Sequence, residues 1–340
     1  MQPELEKLIQ EYRKLGIDQQ IDYDKFYLYS IITHSTAIEG STITELENQI
    51  MFDQGISLKG KSLEEQNMNL DLKEAYEHAI LLTRSHSDIT VEVLKELSSM
   101  VMKNTGKEYR TALGDFSSSK GELRLLNVTA GIGGKSYMNY SKVPARLSEF
   151  CAWLNNERKD FTKKSIEELY ELSFDAHYKL VTIHPWADGN GRMARLVMNM
   201  LQFEFKLIPS IILKEGKEDY IKALVETREN DDLDIFRNFM TNTMIRNLAH
   251  DIEAYSKSLE TTPKSREKIT KSREKITKSR EKIISLIAED GTLSASAIAD
   301  IIGITPKAVE KHIARLKAEG IIKRIGPDKG GHWVLLNERK

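Results

Sequence analysis

The chain has 340 residues, 40% hydrophobic and 30% charged, proportions that exclude a collagen-like repeat or global disorder and leave room for two or three domains. No apolar run approaches the ~20 residues that span a bilayer, which predicts a soluble protein with no membrane partner. The net charge of −1 is unevenly spread: Lys264 to Lys340 holds 18 Lys and Arg against 10 Asp and Glu, a net +8, so the residues before it hold 32 against 41, a net −9. A basic tail on an acidic body points to the tail as the part that meets a polyanion. Cys151 is the single cysteine. With no internal disulfide available and no basic-then-apolar leader, the expected setting is the reducing cytoplasm.

Residues 1 to about 105 carry apolar positions at helical spacing, as in LEKLIQEYRKL and LKEAYEHAILLTR, with few prolines. From Thr111 to Tyr140 serine, glycine and short apolar runs replace that pattern, which reads as a loop or short hairpin. Helical spacing returns at VPARLSEFCAWLNNE and holds to about Ser256. The body is expected to be a helical bundle with one hairpin-like insertion.

Seven-residue repeats then begin at Lys264, Lys271 and Lys278, reading KSREKIT, KSREKIT, KSREKII. Each supplies one isoleucine (Ile269, Ile276, Ile283) where a coiled-coil seam needs two apolar positions. A solvated, charged linker helix is the simpler reading; a weak dimerisation helix, and hence a homodimer, is the other. Beyond the repeat come three helical stretches and a strand pair around GPDKGG. Gly303 ends the middle helix, and Thr305 and Pro306 suit the N-cap and first position of the next. This succession resembles a winged helix-turn-helix domain. The helix after the tight turn would enter a DNA major groove, with Lys307, Lys311 and Arg315 as candidate contacts, diluted by Glu310 and Glu319. A protein-contact module is the alternative.

The stretch richest in chemistry is His184 to Arg195, HPWADGNGRMAR. Gly189, Asn190 and Gly191 form a turn just ahead of a helix, where backbone N–H groups and the helix dipole both favour an anion. Arg192 and Arg195, three apart, share a helix face and make a pair of guanidinium clamps. Asp188 can hold Mg²⁺ beside phosphate oxygens. Pro185 is expected to restrict His184 to an extended conformation in a loop, where its imidazole can take a proton near neutral pH. A transition-metal pair of His184 and Asp188 is disfavoured, since no further histidine or cysteine completes a ligand set.

HPWADGNGRMAR resembles the Fic (Fic/Doc) motif, H-P-F-x-[DE]-G-N-G-R-x-x-R, at every defined position except Trp186, another aromatic. The likeness extends through GKEYRTA, AHYKLVTIHPW and YIKALVETREN, roughly Tyr109 to Met240. The resemblance implies a protein adenylyltransferase using ATP and Mg²⁺. His184 would be the base for a target hydroxyl, Asp188 the metal ligand, and Gly189, Asn190 and Gly191 the anion hole, with Arg192 and Arg195 on the outer phosphates. Tyr220 resembles a position near the adenine, although an isolated helical tyrosine is equally often structural. A β-hairpin flap at about 125–140, rich in Gly131, Gly133 and Gly134, would receive the target protein as an added strand.

The segment STAIEG resembles the family's inhibitory pattern, [ST]-x-x-x-E-[GN], through Ser35, Glu39 and Gly40. Glu39 would pair with Arg195 where a γ-phosphate should sit, and in some relatives the same glutamate is thought to orient water for AMP removal. The fold expected is mainly α: a helical Fic core with a small β-hairpin flap, plus a C-terminal winged helix (α+β) domain. Its divisions would be 1–105 (N-terminal, inhibitory), 106–256 (catalytic), 257–283 (linker) and 284–340 (winged helix). Two other readings stay open: a DNA-binding regulator whose Fic body senses nucleotide and modifies itself, and an enzyme that uses another phosphate donor. His177, Met193, Met198, Met200 and Cys151 are expected in the core.

Overall fold

The computed structural model describes residues 3–129, 135–260, 279–280, 282–318, 320–327 and 330–336. Most of the heptad repeat, three expected flap glycines (Gly131, Gly133, Gly134) and Glu319 lie outside them. The chain divides into two compact units between Glu253 and Ala254.

The first unit opens with α1 (Pro3–Lys14), α2 (Tyr23–Ile38), α3 (Glu45–Gln54), α4 (Leu63–Thr83) and α5 (Val91–Val101). Reciprocal capping boxes start two of them: Thr44 and Glu47 at α3, Ser62 and Glu65 at α4. Each box satisfies N–H groups that a helix start leaves without acceptors. Next comes a hairpin of β1 (Glu108–Thr111) and β2 (Gly114–Ser117), in which Tyr109 faces Phe116 with ring centroids 4.8 Å apart. A second, narrower hairpin follows. Thr129 bridges Ser136 antiparallel, and the Tyr137 N–H donates to the Val128 carbonyl at 3.0 Å. The stretch from Thr111 to Tyr140, expected to hold one loop or hairpin, thus holds β2 and a pair of bridged arms.

The chain continues with α6 (Val143–Arg158), α7 (Ile166–Ile183), α8 (Asn190–Glu204), α9 (Lys217–Asn230) and α10 (Leu233–Glu260), within which the division falls. Helix α8 packs on α7, α4, α5 and α2. Its Met193, Ala194, Leu196, Val197, Met198, Met200 and Leu201 are all buried, and so are Arg192, Arg195, Asn199 and Gln202. A helix apolar on every side belongs at a core's centre. Two of its polar members are paired there: Asn199 accepts from the Tyr76 hydroxyl at 2.8 Å, and Gln202 donates to the Ser173 and Ser210 hydroxyls, both at 2.9 Å. Cys151 is buried, and burial pushes its thiol up to about 11.

In the second unit α11 (282–289), α12 (Ala295–Ile302) and α13 (Pro306–Ala318) precede β3 (Ile322–Ile325), which pairs antiparallel with β4 (His332–Leu335). The core holds Ile283, Ile287, Ile298, Val309, Ile313, Leu316 and Ile322. Ile283, the third isoleucine of the repeat, is thus a core residue of this unit. Gly303 ends α12 at φ 72°, and the Thr305 hydroxyl accepts from the Ala308 N–H at 3.3 Å to start α13. Val309, Ile313 and Leu316 bury one face of α13, leaving Lys307, Lys311 and Arg315 on the exposed side. Among the described residues no helix is long and apolar enough to cross a membrane.

Candidate active site

Glu39 is the residue that ends α2. The backbone turns there because Gly40 takes φ 109°, a region glycine enters without cost, and the Ser41 N–H returns to the Thr36 carbonyl at 3.1 Å. A buried polar cluster holds this turn. Thr36 Oγ1 donates to Asn69 Oδ1 at 2.8 Å, Asn48 Nδ2 donates to the same oxygen at 2.9 Å, and Asn69 Nδ2 donates to Ser41 Oγ at 3.1 Å. Thr36, Asn48 and Asn69 are wholly buried, so breaking one bond would strand another polar group.

The turn aims the Glu39 carboxylate at α8. Arg195 Nη2 donates to Glu39 Oε1 at 2.6 Å, Arg195 Nε donates to Ser35 Oγ at 2.8 Å, and Nη2 also donates to the Ser35 carbonyl at 3.0 Å. Two residues of the STAIEG pattern therefore grip one guanidinium. The Arg195 side chain is 4% exposed and that of Glu39 35%, so solvent reaches the pair from the carboxylate side. Burial alone would raise the Glu39 pKa, but the Arg195 charge and hydrogen bond outweigh it and hold the carboxyl below its usual range. A methyl group on Gly191 would lie 2.7 Å from Glu39 Oε1, so only glycine admits the carboxylate there.

Between α7 and α8 the chain makes a short turn. A further capping box, Ser165 with Glu168, starts α7. His184 ends it in the left-handed conformation (φ 52°, ψ 62°), its N–H donating to the Leu180 carbonyl at 3.1 Å. This corrects the expected extended backbone: proline disfavours the right-handed helix for the residue before it, and helices commonly end in a left-handed residue, so His184 satisfies both. The turn proper is Trp186 to Gly189, and α8 begins at Asn190, earlier than the glycines implied. Asn190 Oδ1 accepts from the Trp186 N–H at 3.0 Å, and Asn190 Nδ2 donates to the Trp186 carbonyl at 2.8 Å, pinning the loop with one side chain. Trp186 is wholly buried, and its indole N–H donates to the Gly121 carbonyl at 3.1 Å. Gly189 caps α8 at φ 79°, where a methyl group would lie 2.7 Å from Met102 Sδ.

His184 Nδ1 lies 3.3 Å from the Val181 carbonyl, which can only accept, so Nδ1 carries the proton and Nε2 the lone pair. Burial, assisted by the Arg124 cation, lowers its pKa to about 4. The Tyr137 ring stacks on the imidazole, with centroids 3.7 Å apart. Arg192 is buried beside Met102 Sδ at 3.0 Å, and Asp188, whose side chain is 56% exposed, sits 3.8 Å from it. Tyr220 is buried. Its hydroxyl lies 2.9 Å from His177 Nε2, and the Arg195 guanidinium stands 6.0 Å from its ring centroid. Burial lowers the His177 pKa to about 3.

The fold brings Ser35, Glu39, Gly191, Arg195 and Tyr220 together, with His184, Asp188, Gly189, Asn190 and Arg192 around the start of α8. Lys307, Lys311 and Arg315 stand in the other unit. Sequence reasoning missed Arg124, Tyr137, Met102 and the Thr36–Asn48–Asn69 cluster. The one available signal was the polar residues Thr36, Asn48 and Asn69 falling on the buried faces of α2, α3 and α4.

Residues 88–202 match the Fic/DOC family model. Over those residues the chain is similar to Fic/DOC domains. A Caenorhabditis elegans protein named protein adenylyltransferase fic-1 is 28% identical over 203 residues, 59% of this chain and 36% of its own length. Protein adenylyltransferase Fic of Drosophila melanogaster is 32% identical over 205 residues, 59% and 37% respectively. This chain thus spans little more than a third of the curated relatives it matches. A Fic domain containing signalling protein of Bacteroides thetaiotaomicron shares the fold, with a TM-score of 0.61 at 22% identity over 74% of this chain and 96% of that one. Residues 276–323 match a winged helix-turn-helix DNA-binding model, the basic counterpart to the Fic domain.

Proposed function

We propose that this protein transfers AMP from ATP to the hydroxyl of a tyrosine, threonine or serine on a target protein or on itself, and that Glu39 restrains the reaction. The observation that carries this reading is the Glu39–Arg195 pair, set where α8 presents its N-terminus beside His184. Arg192, Arg195 and the first N–H groups of α8 form a cradle for a polyphosphate. The Glu39 carboxylate occupies the cation that an outer phosphate would use. The hydroxyl proton passes to His184 Nε2 as its oxygen bonds to the α-phosphorus, and the bond to the departing pyrophosphate breaks. With Arg195 engaged by Glu39 the triphosphate sits out of line, and misplacement by ~1 Å lowers a rate about a hundredfold.

Asp188 fits a divalent cation that brings phosphate oxygens of its own. Among the described residues no group of three acidic, histidine or cysteine side chains could hold a metal, yet Mg²⁺ usually takes one or two carboxylates plus phosphates and water. When bound, Mg²⁺ would neutralise phosphate charge. Tyr220 borders the cradle through Arg195 and stays a candidate for the nucleotide's base. The flap at about 125–140 is the proposed seat of the target, with the divisions 1–105, 106–256, 257–283 and 284–340 part of the same reading, in a cytoplasmic setting and with a homodimer open.

The exposed cations of α13 favour a second role, in which the C-terminal unit binds DNA and places the Fic domain there. Glu39→Gly protein given ATP labelled on the α- or the γ-phosphate tests the main reading, beside a Glu39→Gly/His184→Ala control. Protein label from the α-phosphate alone, lost without His184, is expected. Label from the γ-phosphate would indicate another donor chemistry, and no label from either would favour the regulator.

A further inference from the structure

Arg124 sits in the segment between the two hairpins and is 1% exposed. Burial lowers its pKa, and among the described residues no acidic side chain pairs with the buried cation. Such a group is costly unless its nitrogens find acceptors. Here they find main-chain carbonyls: Nε donates to His184 O at 2.7 Å, Nη1 to Leu126 O at 2.8 Å and Nη2 to Met138 O at 2.5 Å. The Arg124 N–H adds a bond to the Pro185 carbonyl at 3.0 Å.

These carbonyls belong to three different segments. Leu126 lies on the outgoing arm of the narrow hairpin and Met138 on its return arm, while His184 carries the proposed base. Between the arms the described residues show one bridge, Thr129 to Ser136, the Tyr137 to Val128 hydrogen bond at 3.0 Å and the Tyr140 N–H donating to Asn127 Oδ1 at 3.1 Å. The return arm also delivers Tyr137 onto the imidazole at 3.7 Å. A planar fork that holds both arms and the His184 carbonyl leaves the hairpin and the base no independent freedom.

We propose that Arg124 is a positioning residue that sets His184 and the hairpin arms as one unit, so that a strand docking on the hairpin also places its hydroxyl against Nε2. This inference rests on the adenylyl-transfer reading. Its consequence is that the target KM and kcat depend on Arg124, while ATP affinity, which no Arg124 contact touches, does not.

The test compares Glu39→Gly with Glu39→Gly/Arg124→Gln and Glu39→Gly/Arg124→Lys. We expect kcat for a protein acceptor to fall about a hundredfold in both double variants, the scale of a ~1 Å misplacement. Lysine keeps the charge but not the fork, so it should not rescue. ATP affinity should hold within about twofold, as the cradle is separate. A double variant within threefold of Glu39→Gly, or one losing ATP affinity in parallel, overturns the proposal. Inactivity of Glu39→Gly itself would sink the transfer reading instead. An activity-free measurement then decides: the nitrogen-correlated imidazole spectrum of His184, which carries the ring-current shift from Tyr137. Arg124→Gln should move it, and a spectrum identical to the parent's would refute the joint.

Discussion

Glu39 and Arg195, 156 residues apart in the chain, meet at 2.6 Å, and Ser35 holds the same guanidinium from the preceding turn of α2. The pair is asymmetric, with the arginine sealed in the core and the carboxylate reachable by solvent. Removing the carboxylate leaves a buried cation that still has Ser35 and a place for phosphate. Removing the arginine would empty both.

Glu39→Gln keeps the shape and drops the charge, so it is expected to raise AMP transfer over wild type, by less than Glu39→Gly. Ser35→Ala should raise it less again, because the serine orients Arg195 while also being part of its support. Rates of label transfer from α-labelled ATP give the order. If Glu39→Gln stayed at the wild-type rate, charge on Arg195 would not be what restrains the site.

His184 is held neutral by burial, with a pKa of about 4. The deprotonated form is the base, so kcat/KM of Glu39→Gly should stay level from pH 8 down to about 5 and fall only as pH approaches about 4. Half-loss near 6.5 would mean that the imidazole titrates as if exposed.

Folding stability should report His177. Its native pKa of about 3 lies below the usual 6.5, so the unfolded chain binds a proton that the native one refuses. The sign is therefore a loss as pH falls below about 6.5, of about 1.4 kcal/mol per pH unit from this group alone. Denaturant unfolding of wild type and His177→Gln at pH 7 and pH 5.5 should show a smaller pH dependence in the variant. Equal slopes would place the proton uptake elsewhere.

Trp186 is fully enclosed and its indole N–H is spent on the Gly121 carbonyl. Trp186→Ala should cost ~3–5 kcal/mol, as large-to-small changes in cores do. Trp186→Phe should cost far less, because phenylalanine keeps most of the ring and loses one hydrogen bond. Chemical denaturation of the two variants separates packing from the loop's hydrogen bond.

For the C-terminal unit, Lys307→Ala, Lys311→Ala and Arg315→Ala should each weaken binding to duplex DNA of any sequence and lower the logarithmic salt slope by about one. Fluorescence anisotropy at several salt concentrations measures both. No salt dependence in the wild type would return the unit to protein contact.

Much of the fold and of the candidate site is legible in the residues themselves, for local reasons. Capping pairs such as Ser165 with Glu168, the Thr305–Pro306 start of α13 and the basic tail depend on residues a few positions apart. The motif from His184 to Arg195 is likewise local: a helix end, a turn and a helix start carry their own chemistry. Even so, the left-handed backbone of His184 does not follow from Pro185 alone, since its conformation answers to the helix end as well.

Contacts made at long range were decided by the tertiary fold. No spacing links Arg124 to His184, Tyr137 to the imidazole, or Asn69 to Thr36, because hydrogen bonds to main-chain carbonyls and ring stacks leave no periodic trace. Sequence alone determined that the body is helical, where α13 starts and which chemistry the glycine turn carries. Only packing decided that a carboxylate ending α2 would share one buried guanidinium with Ser35, because that depends on how close α2 and α8 come.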